Sequence, residues 1–285
     1  MSKLIDAHTH VIATDFEKYP SNPIGGKQST WSREHPVDAA GLIDALDDAG
    51  MDHAVAVQAS TIFGHDNSYV ADSVAEHPDR LIGVYSIDAM AEDAVEKIKH
   101  WQSRGLNGFR LFTTGTTMPG QASWLGHPDS YAAWEYAEQE QIPVCLQMTI
   151  AGIPALVSTL ERFPGSRVVL DHCARPDLSD GAPFAKAQGL FDLAAFQGVH
   201  LKLTHRALHA ATEGESTLES FLDALVESYG SGRLMWGSNF PAADGRLADL
   251  VAEARTQLAS LSEADAANVF GNTVARFYGK EEWLA

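Results

Sequence analysis

Cysteine is nearly absent from this chain: only Cys145 and Cys173 occur in 285 residues, each inside an apolar run. Two thiols cannot staple a disulfide scaffold, so the expectation is two buried, reduced side chains in a cytoplasmic protein. Positive charge is scarce too. Twenty Lys and Arg stand against 38 Asp and Glu, a formal net charge of −18 with neutral histidine. That balance speaks against nucleic acid as a partner, because affinity for phosphates comes from clustered cations, and against an anionic membrane surface. No run approaches the roughly 18 uncharged residues of a membrane span. Asp6 and His8 interrupt the N-terminus before any signal-like apolar core could form. The glycine-rich G-x-G-x-x-G turn of a dinucleotide fold does not follow the first apolar run.

What is present is a chain of 45% hydrophobic and 20% charged residues, enough for a large core. Eight short apolar runs read as strands: Leu4–Val11, His53–Ser60, Leu81–Asp88, Leu106–Thr113, Ile142–Thr149, Arg167–Cys173, Val199–Thr204 and Leu234–Asn239. They are nearly continuous in aliphatic residues, the mark of parallel strands covered on both faces. Stretches with helical spacing lie between them, including Asp38–Gly50, Asn67–His77, Glu92–Arg104, Tyr131–Gln141 and Pro154–Phe163. Eight β/α units in about 250 residues predict an α/β fold, a (β/α)8 TIM barrel forming one domain over residues 1–285. The last segment, Asp265–Ala285, reads as a helix closing the bottom or side. The long first βα loop, Ile12–Val37, is rich in Pro, Gly and Ser, carries Tyr19 and Trp31, and is the candidate lid.

Barrel enzymes draw their chemistry from the C-terminal ends of the strands, and polar residues collect there. His8-x-His10 ends the first run, with Ser60, Asp88, Arg110, Thr113, Thr114, Gln147, Thr149, Asp171-His172, Lys202 and Asn239 at or near the others. Two histidines one residue apart on a strand lie on one face about 7 Å apart. With His172 they make three neutral nitrogens, enough for a catalytic zinc or manganese with an open water position. The same three rings are equally able to hydrogen-bond a carbonyl oxygen without any metal. Arg110, Arg175, Lys202 and Arg206 also fall at strand ends, where they would form a local positive pocket for a small anionic substrate. Arg175 and Arg206 have a second reading as partners of loop acids such as Asp171 or Asp177. Trp31, Tyr19 and Trp124 either wall a planar ligand or pack their loops down.

These segments resemble the amidohydrolase superfamily of the amidohydrolase 2 type, within it the branch typified by 2-pyrone-4,6-dicarboxylate lactonase. The resemblance runs from Asp6-Ala-His8-Thr-His10 through Gly108-Phe-Arg110 and Asp171-His172-Cys-Ala-Arg175-Pro to Trp236-Gly-Ser-Asn239-Phe-Pro241. It implies a barrel that adds water to a lactone or amide carbonyl. His8, His10 and His172 would bind a metal or polarise the carbonyl directly, and Arg110 would hold a substrate carboxylate.

Two departures from the pattern redirect the expectation. Asn239 stands where the family carries an aspartate as ligand and base, and an amide cannot accept a proton as a carboxylate does. After Arg110 the segment Thr113–Met118 lacks a second arginine, which makes the pyrone dicarboxylate itself a poor match. The leading expectation is therefore a hydrolase opening a lactone with a single carboxylate, in catabolism of an aromatic compound or a sugar acid. His8, His10, His172 and Asn239 would be its catalytic residues, with Arg110, Lys202, Ser60, Trp31 and Arg206 around the substrate. A non-oxidative decarboxylase and a catalytically silent small-acid binder are the alternatives. Barrels of this size occur as monomers and as homo-oligomers, and no apolar stripe in the sequence decides between them.

Overall fold

The computed structural model describes residues 2–112 and 125–285. Thr113, Thr114 and Trp124, named above as candidates, lie outside the described residues, as does the rest of the Thr113–Met118 segment. Eight parallel strands follow one another in chain order: β1 Ile5–Thr9, β2 His53–Val57, β3 Leu81–Ser86, β4 Gly108–Phe112, β5 Val144–Gln147, β6 Val168–Leu170, β7 Val199–Thr204 and β8 Leu234–Gly237. The ring closes between the ends of β8 and β1. Phe240 bridges Thr9, the His10 amide donates to the Phe240 carbonyl at 2.8 Å, and the Asn239 amide donates to the His8 carbonyl at 2.8 Å. This is the predicted barrel.

The local sequence explains the elements. The helix Ala39–Ala49 starts where the Asp38 carboxylate accepts from the Gly41 amide and stops at Gly50, whose φ of 66° is the left-handed conformation that suits glycine. It buries Leu42 and Leu46 against the outside of the barrel, each worth about 2 kcal/mol of apolar burial. Ser68–Glu76, Ala94–Ser103, Tyr131–Gln139 and Ile153–Arg162 likewise bury an apolar face and lie within a residue or two of the predicted spans. Seven of the eight strands come out shorter than the apolar runs, mostly because residues at the run ends belong to the flanking turns and not to the ladder; β7 matches its run.

Inside the ring, Ile5, Val55, Ile82, Val84, Cys145, Val169 and Met235 fill the lower half. The C-terminal segment forms the expected last helix, continuous from Glu263 to Tyr278 with a π-helical turn at Asn268–Asn272, and stops at Gly279 before the short turn Glu281–Leu284. Its Val274, Phe277 and Tyr278 plug the bottom of the barrel. Gly237 has a specific task at the seam: a Cβ there would stand 2.7 Å from the His8 Cβ and 2.9 Å from the His8 amide nitrogen. Only glycine lets β8 approach β1 at the first-strand histidine. Among the described residues no helix is long and apolar enough to cross a membrane.

Candidate functional site

A cavity of about 160 Å3 opens at the C-terminal ends of the strands, the face on which barrel enzymes work. His10, His172 and Asn239 line it, together with Arg110, Arg175 and Arg206, and Ser60 and Trp31 complete the wall. Seven of the nine predicted site residues therefore meet in one place. The other two do not reach it. His8 and Lys202 are fully buried and do not line the cavity, so the structure places them deeper than the expected ring of residues in the barrel mouth. Tyr19 also stays out of the wall: its hydroxyl donates to Asp72 at 2.6 Å and packs the first loop down.

The β1 end carries the pair of histidines through an irregularity, since the register against β2 slips between Asp6 and Thr9. The Asp6 carboxylate staples this bulge to β8 by accepting from the amides of His8 at 3.0 Å and Ser238 at 2.9 Å. Burial raises Asp6 to about 6 despite those bonds. His10 is oriented on two sides. Its Nδ1 donates to the Val57 carbonyl at 2.7 Å, and its ring stacks on Trp31 with centroids 5.0 Å apart. A carbonyl can only accept, so the His10 hydrogen sits on Nδ1 and Nε2 offers a lone pair. Burial, reinforced by the Arg110 charge, pushes the imidazole down to about 3, and His10 is neutral throughout the physiological range. His172 bonds Thr204 Oγ1 through Nδ1 at 2.7 Å, and burial holds it well below the usual histidine value. The loop that carries it, His172 to Arg175, has φ between 51° and 56° at four successive non-glycine residues. This left-handed turn brings His172 and Arg175 into the same cavity.

Arg110 is the most tightly held cation. Its Nε donates to Asp171 Oδ2 at 2.8 Å, its Nη2 donates to Gln147 Oε1, and its guanidinium lies over the Phe112 ring. Asp171 is the hub: its other oxygen lies 3.1 Å from Lys202 Nζ and 3.3 Å from His8 Nδ1, all fully buried. Burial alone would raise this carboxyl, but the Lys202 and Arg110 charges override it and hold Asp171 well below the usual carboxylate range. Arg175 and Arg206 add two guanidiniums to the rim, and the Arg175 Nε is buried without a partner. Two cations contact this one ionised carboxylate and two further guanidiniums line the cavity beside it, so positive charge is in excess and the site suits an anion.

The sequence reading underweighted Asp171, Gln147 and Arg175, which orient or extend the cation cluster. For Lys202 a signal was available: it lies in mid-strand between Leu201 and Leu203, two residues below Thr204 on the same face, and so points into the barrel instead of out of its mouth.

The three histidine rings are neighbours, His8 to His10 at 5.0 Å and His8 to His172 at 5.2 Å between centroids. Their surroundings do not fit the expected zinc or manganese. Among the described residues no group of three or more His, Cys, Asp or Glu is placed to hold a metal ion. The Lys202 ammonium sits 3.2 Å from His8 Nδ1, and the carboxylate that would balance a divalent cation is already shared by Lys202 and Arg110. Asn239 supplies no charge at the eighth strand.

A sequence model of the amidohydrolase family matches residues 5–280. The chain belongs to the amidohydrolase family. An L-fucono-1,5-lactonase from Burkholderia multivorans is 26% identical, with 98% of this chain and 96% of that protein aligned. A second L-fucono-1,5-lactonase, from Burkholderia ambifaria, is 32% identical over 164 residues, 54% of this chain and 56% of that lactonase. Among solved structures, a Pseudomonas putida protein proposed to be a 2-pyrone-4,6-dicarboxylic acid hydrolase superposes with a TM-score of 0.79 at 24% identity, covering 99% of both chains. That likeness is one of fold.

Proposed function

We propose that this amidohydrolase opens the ring ester of a small lactone bearing one carboxylate, without a resident metal. The observation that carries the reading is one cavity in which the unprotonated Nε2 of His10 faces three guanidiniums, of which, among the described residues, only Arg110 is paired with a carboxylate. Lactone hydrolysis needs both. Water must lose a proton as it attacks the carbonyl carbon, and the carbonyl oxygen must be stabilised as it becomes an oxyanion. His10 accepts the proton. Its low proton affinity in the empty site keeps it available, and the negative charge that grows beside it raises that affinity as the reaction proceeds. Arg110, fixed by Asp171 and Gln147, stabilises the oxyanion, while Arg175 and Arg206 bind the carboxylate. When the carbon–oxygen ring bond breaks, the proton passes from His10 to the departing ring oxygen, and the product is a hydroxy acid. In this scheme Asn239 orients the water and takes no proton. Trp31, stacked on His10, and Ser60 give the cavity a wall for the ring. The lactonases named above support the reaction class.

We also place the activity in catabolism of sugar acids or aromatic compounds in a reducing cytoplasm, a reading supported by two cysteines that are buried and unpaired. The test is base uptake at constant pH with lactones carrying zero, one or two carboxylates. Saturable turnover is expected for a monocarboxylated member and a much higher KM for its neutral analogue. Preference for a neutral lactone would remove the carboxylate clamp. Carbon dioxide release without ring opening would replace hydrolysis by decarboxylation, the reading that Asn239 in place of a carboxylate favours.

A further inference from the structure

The side chain that the catalytic scheme leaves unused is the most buried lysine of the protein. Lys202 is fully buried, beneath the cavity and inside the barrel. A charged group at that depth is sustained only if its hydrogens find acceptors. The ammonium has three hydrogens and three groups around it: Asp171 Oδ1 at 3.1 Å, His8 Nδ1 at 3.2 Å and Cys145 Sγ at 3.9 Å.

We propose that Lys202 is a positioning residue that sets the tautomer of His8, donating to Nδ1 and so placing the ring hydrogen on Nε2. The alternative is a hydrogen on Nδ1 directed to Asp171 Oδ1 at 3.3 Å. It would set an N–H against an ammonium at 3.2 Å and deprive Lys202 of its only nitrogen acceptor. Asp171 Oδ1, although 3.3 Å away, makes no hydrogen bond with the His8 ring, and its charge is balanced by the nearby Lys202 and Arg110. His8 Nε2 is itself buried with no partner.

The consequence is a division of labour within the His8-x-His10 pair. His10 bonds the Val57 carbonyl through Nδ1–H and presents a lone pair. His8, bonded by an ammonium, presents an N–H. One sequence motif thereby supplies a proton acceptor and, a layer below, an N–H that packs among the neighbouring rings without a hydrogen-bond partner. The same assignment removes His8 Nε2 as a metal ligand, since a nitrogen that carries hydrogen has no lone pair to give. The tautomer stands independently of the substrate; only its kinetic effect rests on the proposed lactone hydrolysis.

Nitrogen-15 NMR of the full chain labelled at histidine tests the assignment, with His8 signals identified by their loss in His8→Asn. In the unsubstituted protein, His8 Nδ1 is expected to resonate as an unprotonated ring nitrogen and Nε2 as a protonated one. In Lys202→Met the two are expected to exchange, as Nδ1–H turns to Asp171. With the lactone substrate, Lys202→Met is expected to lower kcat about 100-fold while KM stays within about twofold, since a misassigned tautomer disables a site without removing its binding contacts. A hydrogen on Nδ1 in the unsubstituted protein overturns the proposal, and that measurement holds even if Lys202→Met does not fold. An unchanged His8 tautomer in a folded Lys202→Met overturns it as well. A raised KM at constant kcat returns Lys202 to substrate binding. Failure of the lactone panel leaves the NMR result standing and so separates the two readings.

Discussion

His10 should make this protein unusually sensitive to mild acid, and the size of the effect follows from its surroundings. An unfolded histidine titrates near 6.5, whereas burial and the Arg110 charge push the folded His10 down to about 3. Between those values the unfolded chain binds one proton that the folded chain refuses, so stability rises with pH there. The contribution is complete above pH 6.5. It is lost as the pH falls, approaching about 1.4 kcal/mol for each pH unit and ceasing to grow below about 3. From pH 7.5 to 5.0 the loss from His10 alone is roughly 2 kcal/mol. Replacing it with a residue that does not titrate, His10→Gln, should remove that slope while His8 and His172 continue to contribute theirs. Urea unfolding of both proteins at pH 7.5 and 5.0 gives the comparison. The unsubstituted protein should lose about 2 kcal/mol more than His10→Gln over the interval. Equal losses would mean that folded His10 titrates like an exposed histidine, and the case for a neutral base held by Val57 and Trp31 would fall.

Two further substitutions probe the hub and the seam. Asp171→Asn leaves Lys202 and Arg110 buried without their shared carboxylate and should cost about 3–5 kcal/mol of unfolding free energy at neutral pH; a loss under about 1 kcal/mol would show that the two cations do not depend on this carboxylate. Gly237→Ala drives a Cβ to within 2.7 Å of the His8 Cβ and should reduce kcat more than tenfold with the circular dichroism spectrum retained, because moving His8 shifts the strand end that carries His10 and small displacements of a proton acceptor are costly; unchanged turnover would mean that the seam yields without moving His8.

The barrel was legible because its code is local and repeated. Each strand announces itself as an uninterrupted aliphatic run, each helix as an apolar stripe with a stop such as Gly50, and eight repetitions leave one common architecture. The mouth was legible for a related reason: a polar residue within or at the end of such a run is expensive unless it has a use, and His10, His172 and Asn239 sit at run ends while Arg110 interrupts the fourth run. What did not emerge is depth. His8 and His10 look equivalent in the sequence, yet His8 lies under the floor; the depth of Lys202, by contrast, was readable from its mid-strand place between Leu201 and Leu203. Depth depends on the β1 bulge and on how far along its strand a residue lies, and neither is encoded in residue type.

The turn from His172 to Arg175 shows why the remainder of the site escapes local rules. Four successive left-handed residues, none of them glycine, cost on the order of 1–2 kcal/mol each, a sizeable share of the 5–15 kcal/mol that holds a typical protein folded. Local preference argues against every one of them. The conformation is imposed from outside: Pro176 restricts Arg175 from the right-handed helical region, Cys173 Sγ donates to the Lys202 carbonyl at 3.4 Å, and His172 is tied to Thr204. His172, Cys173 and Ala174 are buried, so the packing that fixes them belongs to β7 and the barrel interior. Strain that surrounding structure over-determines is characteristic of functional sites. Here it has a definite product, since a histidine and an arginine three residues apart both reach one small cavity. The segment that violates local preference most strongly is therefore the one whose side chains the proposed chemistry requires together.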